Sequence, residues 1–163
     1  MGRILAIVAV ALLAMPATAS AQATREVEVI SFNGSFEVND LCSFPLIEHQ
    51  EGTFQIATFF DASGTPTKQI ITVRSPYVVT LSAHGKTLTG VSPFAEKIVL
   101  DAEGELVTAT LVGLVSQFRV PGDGVLLIDT GRIVFDADFD IIFEAGPHPV
   151  AHGDTAALCD YFS

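Results

Sequence analysis

The stretch ELVTATLVGLVSQFRVPGDGVLLIDTGRIVF, residues 105–135, decides the fold class of this chain. Apolar and polar side chains alternate along two runs, and the turn-forming residues 119–124 separate the runs. Alternation with a period of two is typical of β-strands, and a short connection rich in Gly and Pro is typical of a hairpin. The stretch therefore predicts two long antiparallel strands, 105–118 and 124–135.

The same alternation, bounded by turn residues, extends the prediction to both sides of this hairpin. The further predicted strands are 26–32, 52–60, 67–74, 76–82, 86–91, 95–101 and 140–144. Segment 33–50 contains several turn formers and predicts a loop, whereas 154–161 predicts a short helix that Asp154 can cap. No helical crossover separates the strands, so we expect them to pair in antiparallel fashion.

An internal near-repeat supports the hairpins. Residues 60–64, 100–104 and 135–139 share a large apolar residue, then Asp, Ala and a polar residue. An Asp at the start of a turn accepts hydrogen bonds from its own backbone, and a following Gly supplies positive φ. The third copy has Phe139 where the others have Gly, so we expect that turn to differ.

Nine strands in meander order predict an all-β fold, a single antiparallel meander that forms a closed or nearly closed β-barrel with a short C-terminal helix. Closure removes the exposed sheet edges that promote aggregation, and a two-sheet β-sandwich is the alternative. Small antiparallel barrels contain either packed side chains or one apolar ligand.

The first residues are typical of a secretory signal peptide. Arg3 precedes the apolar run 4–14, and small residues follow that run. The run is shorter than the roughly 20 residues that a lasting membrane anchor needs. We therefore predict a signal peptide over 1–21, a single barrel-like domain over 22–163, and a secreted, extracellular protein without a lasting membrane anchor.

Cys42 and Cys159 are the two cysteines of the chain. In an exported protein an even number of cysteines indicates disulfides, and two cysteines allow one pairing. We therefore predict a disulfide that ties the C-terminal helix to the region before the second strand.

The charge balance excludes one class of partner. The chain has 19 acidic and 8 basic residues, a net charge of −11. A nucleic-acid-binding protein needs a basic surface, so no nucleic-acid partner is expected. No nucleophile elbow, phosphate loop or zinc-protease helix is present in the sequence, and no cofactor is predicted.

Several short motifs carry a resemblance. They are residues 42–45 (CSFP), 58–61 (TFFD), 84–89 (HGKTLT), 129–136 (DTGRIVFD), 143–148 (FEAGPH) and 152–154 (HGD). With these motifs the chain resembles a family of secreted bacterial β-rich proteins with no known activity. Ser43 and Phe139 stand where that family has Gly. The resemblance implies one secreted domain and carries over no catalytic role.

Asp129 is the candidate catalytic acid, with Arg132 beside it. The period of two places Asp129 on the same face of its strand as Leu127 and Ile133. A carboxylate on an apolar face must be paired or neutralised. Asp129 is thus either an acid that lines a cavity or a residue that a bulge near Gly131 turns to solvent or to an Arg.

The 12 Phe residues of the chain invite a cavity interpretation. The candidates for contact with an apolar ligand are Phe54, Phe60, Phe118 and Phe135. Phe side chains also fill protein cores, so the sequence leaves open whether the barrel is hollow or filled.

A metal site is the weaker prediction at the C-terminal end. His148 and His152 are four residues apart, with Asp154 nearby. Prolines at 147 and 149 exclude the helix that would bring both imidazoles to one face. A loop site over these three residues is the only form that such a metal site could take.

Three function classes fit these observations. The first, which we favour, is non-catalytic binding of a small apolar ligand or a partner. The second is a cofactor-free barrel isomerase or cyclase with Asp129 as its acid. The third is a cell-envelope protein that self-associates, for example as a homodimer, through strand 105–118, which is apolar on both faces.

Overall fold

A computed structural model describes residues 24–74 and 77–163. The described elements are β1 (Arg25–Val38), β2 (Leu46–Phe60), β3 (Pro66–Val73), β4 (Val78–Ala83), β5 (Lys86–Val91), β6 (Phe94–Leu100), β7 (Leu106–Val120), β8 (Gly124–Phe135), β9 (Ile141–Ala145) and α1 (Ala156–Phe162). All strand pairs are antiparallel. The predicted all-β class with a short C-terminal helix is confirmed.

The sheet is a meander of long strands, two of which are interrupted. β3 and β4 follow one another along β2, where Phe54 pairs with Val73 and Glu51 pairs with Val78. β5 and β6 follow one another along β7 in the same way. The hydrogen-bonded pairs form a ring through β2, β3, β6, β7, β5 and β4. Beyond the ring, β1 pairs with β2, β8 pairs with β7, and β9 pairs with β8.

The predicted loop over 33–50 is wrong for most of its length. β1 and β2 pair continuously from Arg25 opposite Phe59 to Val38 opposite Leu46, which leaves 39–45 as the connection. The turn propensity of Asn33-Gly34 is overridden because each residue of a long ladder gains pairing from the facing strand. The Ser35 hydroxyl adds a cross-strand hydrogen bond to His49 Nδ1 of 2.9 Å.

The three near-repeat turns have the same hydrogen bonds. Their first residues are Asp61, Asp101 and Asp136. In each turn the Asp Oδ1 accepts the backbone N–H groups two and four residues later, at 2.8–3.0 Å. Gly64 and Gly104 have φ of 86°, and Phe139 adopts φ of 62° in the same left-handed region. The expectation that the third turn differs is therefore wrong, because Phe139 takes the conformation that Gly has elsewhere.

The helix α1 packs against the inner face of the sheet, which is the face that carries Leu46 and Phe54. Leu158 and Phe162 of the helix are fully buried. The core residues form one cluster: Leu46, Tyr77, Val79, Leu81, Leu88, Phe118, Leu127, Leu158 and Phe162. The predicted Cys42–Cys159 disulfide is confirmed, and it closes a loop with a sequence separation of 117.

The helix begins one residue later than a cap at Asp154 would place it. Thr155 is the N-cap residue, and its side chain makes no capping hydrogen bond. Instead the Thr155 hydroxyl donates to the Leu41 carbonyl oxygen at 2.6 Å, which fixes the helix start against the 39–45 connection. The helix position is thus set by the residues around the disulfide.

The predicted signal peptide over 1–21 lies outside the described residues. Within 24–74 and 77–163, no helix has the length and apolar content needed to cross a bilayer.

Candidate functional site

An inner cavity of about 310 Å³ lies between the sheet and the C-terminal segment. Residues that face one another across antiparallel strands share a face of the sheet, so β2, β4, β7 and β8 all contribute to the wall. The apolar lining consists of Leu41, Val79, Leu81, Phe94, Val115, Phe118, Leu127, Val150 and Leu158. The polar lining consists of Glu48, Gln50, Tyr77, Ser92, Ser116 and Asp129. The cavity is therefore mostly apolar, with a small set of polar groups.

A chain of hydrogen bonds organises three of the polar residues. The Tyr77 hydroxyl donates to Gln50 Oε1, and the Gln50 amide donates to Glu48 Oε1. Burial, together with the negative charge of Glu48, raises the pKa of Tyr77 to about 12. Tyr77 is therefore protonated near neutral pH. Of the two Glu48 oxygens, only Oε1 accepts a side-chain hydrogen bond from the described residues, so the second Glu48 oxygen can accept one from a ligand.

The Tyr77 ring is held by aromatic neighbours. The Phe54 ring centroid lies 5.0 Å from that of Tyr77, and the Phe94 ring meets Tyr77 edge-on at 6.3 Å. Tilted and edge-on arrangements are the favourable ones for aromatic pairs. These contacts fix the orientation of the phenol, and with it the hydrogen bond to Gln50.

A buried Asp–His pair forms another part of the wall. Asp129 Oδ1 lies 2.9 Å from His148 Nδ1, and the two side chains are 6% and 1% exposed. His148 Nε2 lies 3.3 Å from the Arg132 carbonyl oxygen. The pair joins β8 to the segment between β9 and α1, and the Thr130 N–H donates to the Pro147 carbonyl oxygen beside it.

The neighbours of His148 define its protonation state. Burial alone would lower the pKa of His148, but the hydrogen bond and charge of Asp129, together with the carbonyl groups of Arg132 and Ala145, raise it above the ordinary value. Both ring nitrogens face acceptors, an arrangement that favours the imidazolium form, in which both carry hydrogens. The imidazolium form has no lone pair, so His148 is suited to hold Asp129 in place and not to act as a general base.

A β-bulge in β7 lies opposite Asp129. The β7–β8 register shifts between Leu114 and Ser116, so that Ser116 faces Asp129 while Leu114 faces Thr130. Val115 is the extra residue, and its carbonyl oxygen accepts a hydrogen bond from the Ser92 hydroxyl. Bulges re-aim side chains near functional sites. Here the bulge leaves Val115 and Asp129 side by side in the wall.

Asp129 also lines a second cavity of about 360 Å³. The apolar residues of the second cavity are Leu111, Val115, Ile133, Phe135, Phe139, Ile141, Val150 and Ala151. Asp129, Val115 and Val150 line both cavities and therefore separate them. Since Asp129 Oδ1 is bonded to His148, its second oxygen is the group that it can offer to a ligand.

The structure separates the two candidate catalytic residues. Asp129 faces the interior with Leu127 and Ile133, as the strand period predicts, and its partner is His148 and not an Arg. The Arg132 side chain lies on the opposite face, with its guanidinium carbon 5.1 Å from the Phe143 ring centroid. Only the Arg132 carbonyl group contributes to the site.

The four candidate Phe residues occupy different places. Phe118 lines the inner cavity, and Phe135 lines the second cavity. Phe54 packs against Tyr77 behind the inner cavity. Phe60 lies at the end of β2, where it pairs with Pro66.

The candidate metal residues His148, His152 and Asp154 line one cavity, but the two imidazoles have separate partners. His148 bonds Asp129, whereas the exposed His152 bonds Glu144 Oε2 at 2.8 Å. The Asp154 N–H donates to the Pro149 carbonyl oxygen. Within the described ranges, no group of three or more His, Cys, Asp or Glu side chains is arranged to hold a metal ion.

Sequence reasoning missed Glu48, Gln50 and Tyr77. Glu48 and Gln50 fall in the segment that predicts a loop, so their shared face could not be assigned. The available signal is the alternation of Leu46, Glu48 and Gln50, which places two polar groups on a core-facing side of a strand.

Comparisons with protein-family models, curated proteins and solved structures found no match to this chain.

Proposed function

We propose that this chain is a secreted protein that binds a small, mostly apolar ligand in its inner cavity without catalysing a reaction. The observation that carries the proposal is the inner cavity of about 310 Å³, with its apolar wall and few convergent polar groups. Small-molecule sites have volumes from about 300 Å³ upward and the same division between apolar walls and a few polar groups.

The polar groups indicate the kind of ligand. The second oxygens of Glu48 and Asp129 are hydrogen-bond acceptors, and the Tyr77 hydroxyl already donates to Gln50. In the described part of the chain the ion pairs are His148–Asp129 and His152–Glu144, so Glu48 has no counter-charge there. We therefore infer an apolar body that carries a hydroxyl or amino group as donor.

Secretion is supported by two features. The signal-like sequence of residues 1–21 precedes the first strand, and the Cys42–Cys159 disulfide is compatible with an oxidising compartment. The resemblance to secreted bacterial β-rich proteins agrees with this assignment. Carrying a small ligand outside the cytoplasm is the role that is consistent with both secretion and the inner cavity.

A fluorescent apolar probe tests the proposal. N-phenyl-1-naphthylamine has an apolar body and one N–H donor, and we expect saturable binding with one probe per chain. Val79→Phe places a ring in the inner cavity and should abolish binding. Thr80→Phe, on the other face of the same strand, is the matched control and should bind as the unmodified protein does. Equal binding by both variants would contradict the proposal.

Native mass spectrometry of the secreted protein gives an independent test. Extra mass that disappears on denaturation would identify a bound ligand, and its composition would show whether a donor group is present. The denatured mass would show the signal cleavage site and the loss of two hydrogens expected for the disulfide. A protein without bound ligand that also fails to bind the probe would refute ligand binding.

A cofactor-free isomerase or cyclase is the second candidate function. It is favoured by one observation, the second Asp129 oxygen at the wall of both cavities, which could accept a proton from a bound substrate. Against it, both ring nitrogens of His148 already face acceptors of the protein, so His148 is placed to hold Asp129 and not to move a substrate proton. Deuterium uptake from heavy water into a co-purified ligand would support catalysis if the uptake is lost in Asp129→Asn. If no deuterium is taken up, ligand binding without catalysis is the function that remains.

A further inference from the structure

Strand β1 leaves one edge of the sheet uncovered in the described part of the chain. Among the described strands, its 14 residues pair with β2 alone. Apolar side chains project on both of its faces, including Val29 at 59% exposure and Phe36 at 43%. A long, exposed, apolar edge strand is a template for another strand.

The hydrogen bonds of β2 reveal which β1 backbone groups point outward. The Thr53 carbonyl oxygen accepts from the Arg74 N–H on the far side of β2, and Thr53 lies opposite Ser31. Ser31 therefore turns its N–H and C=O groups away from β2, and alternate residues do the same. The outward residues are Arg25, Val27, Val29, Ser31, Asn33, Ser35 and Glu37.

This edge is complementary to itself. An antiparallel copy related by a two-fold axis through Ser31, perpendicular to the sheet, pairs each outward residue with an outward residue of the second copy. In that register Arg25 faces Glu37 of the second copy, and Ile30 faces Phe32. If the register between the two β1 strands shifts by two residues in either direction, Arg25 no longer faces Glu37 and the ladder is shorter.

We propose that the protein forms a two-fold symmetric dimer through antiparallel pairing of two β1 strands about Ser31. The register pairs all seven outward residues, forms an Arg25–Glu37 ion pair at each end and continues the inner sheet face from one copy to the other. An isologous interface of this kind closes on itself.

The other strands fit a second copy less well. β7 already pairs with β6 and β5 on one side and β8 on the other, so its edges are occupied. Strand 105–118 therefore offers no free edge for pairing between two copies. β9 spans five residues, so a β1–β9 contact would leave most of the β1 edge unpaired and would not close.

A proline at the two-fold axis gives the sharpest test. Ser31→Pro removes an N–H that points away from β2, so the β1–β2 ladder is kept while the dimer ladder is interrupted. In sedimentation velocity, we expect the unmodified protein and Ser31→Ala to be dimers and Ser31→Pro to be a monomer. Unchanged circular dichroism and an unchanged urea midpoint of Ser31→Pro would show that the fold persists.

Charge exchange tests the register. Arg25→Glu and Glu37→Arg each place like charges opposite one another at both ends, and each should weaken dimerisation on the order of tenfold. The double variant Arg25→Glu with Glu37→Arg restores opposite charges and should restore the dimer. A monomeric unmodified protein from micromolar to millimolar concentration, or a double variant as weak as the singles, would overturn the proposal. Neither result depends on whether the inner cavity binds a ligand.

Discussion

Phe139 has a φ of 62° and an exposure of 70%, at the position where the two sister turns have Gly64 and Gly104. Left-handed backbone costs a residue with a Cβ atom about 1–2 kcal/mol. Because the ring is mostly exposed, little apolar burial compensates for this strain at the turn. The turn keeps its shape because Asp136 accepts two backbone N–H groups, as the aspartates of the sister turns do.

Phe139→Gly should therefore raise the free energy of unfolding. Relief of about 1–2 kcal/mol of strain exceeds the roughly 0.5–1 kcal/mol of added chain entropy, so the expected gain is about 0.5–1 kcal/mol. Urea denaturation measures the change. Gly104→Phe in the sister turn is the reciprocal control and should destabilise. A loss of stability in Phe139→Gly would mean that the ring's contacts at the second cavity outweigh the strain.

The elements show what local sequence can and cannot predict. Strands β3 to β9 have strong alternation and clear turns, so their positions follow from the sequence to within a few residues. β1 and β2 are longer than predicted because their far ends, 33–38 and 46–50, depend on pairing with each other. The face of Asp129 follows from the period of two, whereas its partner His148 lies in a segment without regular structure and depends on tertiary contacts.

His148 anchors the segment between β9 and α1. Because its imidazolium is charged, the contribution of this contact to the free energy of unfolding depends on pH. The folded pKa of His148 is raised above the unfolded value of about 6.5. Its contribution to stability is therefore fully present below about pH 6.5 and is lost as pH rises through the folded pKa. Its protonated form is the one that bonds both Asp129 and the Arg132 carbonyl group.

We expect His148→Gln to remove this pH dependence. Gln keeps an amide donor for Asp129 but carries no charge. The difference in unfolding free energy between the unmodified protein and the variant should be largest near pH 6. It should shrink as pH rises, because His148 loses its proton and with it the stabilising charge. Urea denaturation from about pH 6 to 9 measures it. His152→Gln, which changes an exposed pair, is the control, and a constant difference for His148→Gln would show that the buried pair is not ionic.

At the scale of the whole molecule, the inner cavity is assembled from distant parts of the chain. Leu41 precedes the disulfide, Val79 and Leu127 come from strands in the middle, and Leu158 comes from the C-terminal helix. No local pattern contains these residues together. The volume of the cavity, unlike the strand positions, therefore could not be predicted from the sequence.

The Cys42–Cys159 disulfide joins two of these parts. Its removal shows whether it acts by destabilising the unfolded chain or by holding α1 in place at the cavity. In the chain-entropy account a cross-link with a separation of 117 residues destabilises the unfolded chain, by about 4–5 kcal/mol, and leaves the folded cavity unchanged. Cys42→Ser with Cys159→Ser should then lower the free energy of unfolding by roughly that amount. The affinity of the folded protein for N-phenyl-1-naphthylamine should stay the same.

Leu158→Ala is the matched comparison, because it keeps the disulfide and removes a side chain from the cavity wall. It should cost about 2–5 kcal/mol and also change the affinity for the probe. Urea denaturation and probe titration under folding conditions give both quantities for each variant. If the disulfide variant remained folded and lost the probe, the cross-link would be holding α1 in place as a wall of the cavity, and the entropic account would fail.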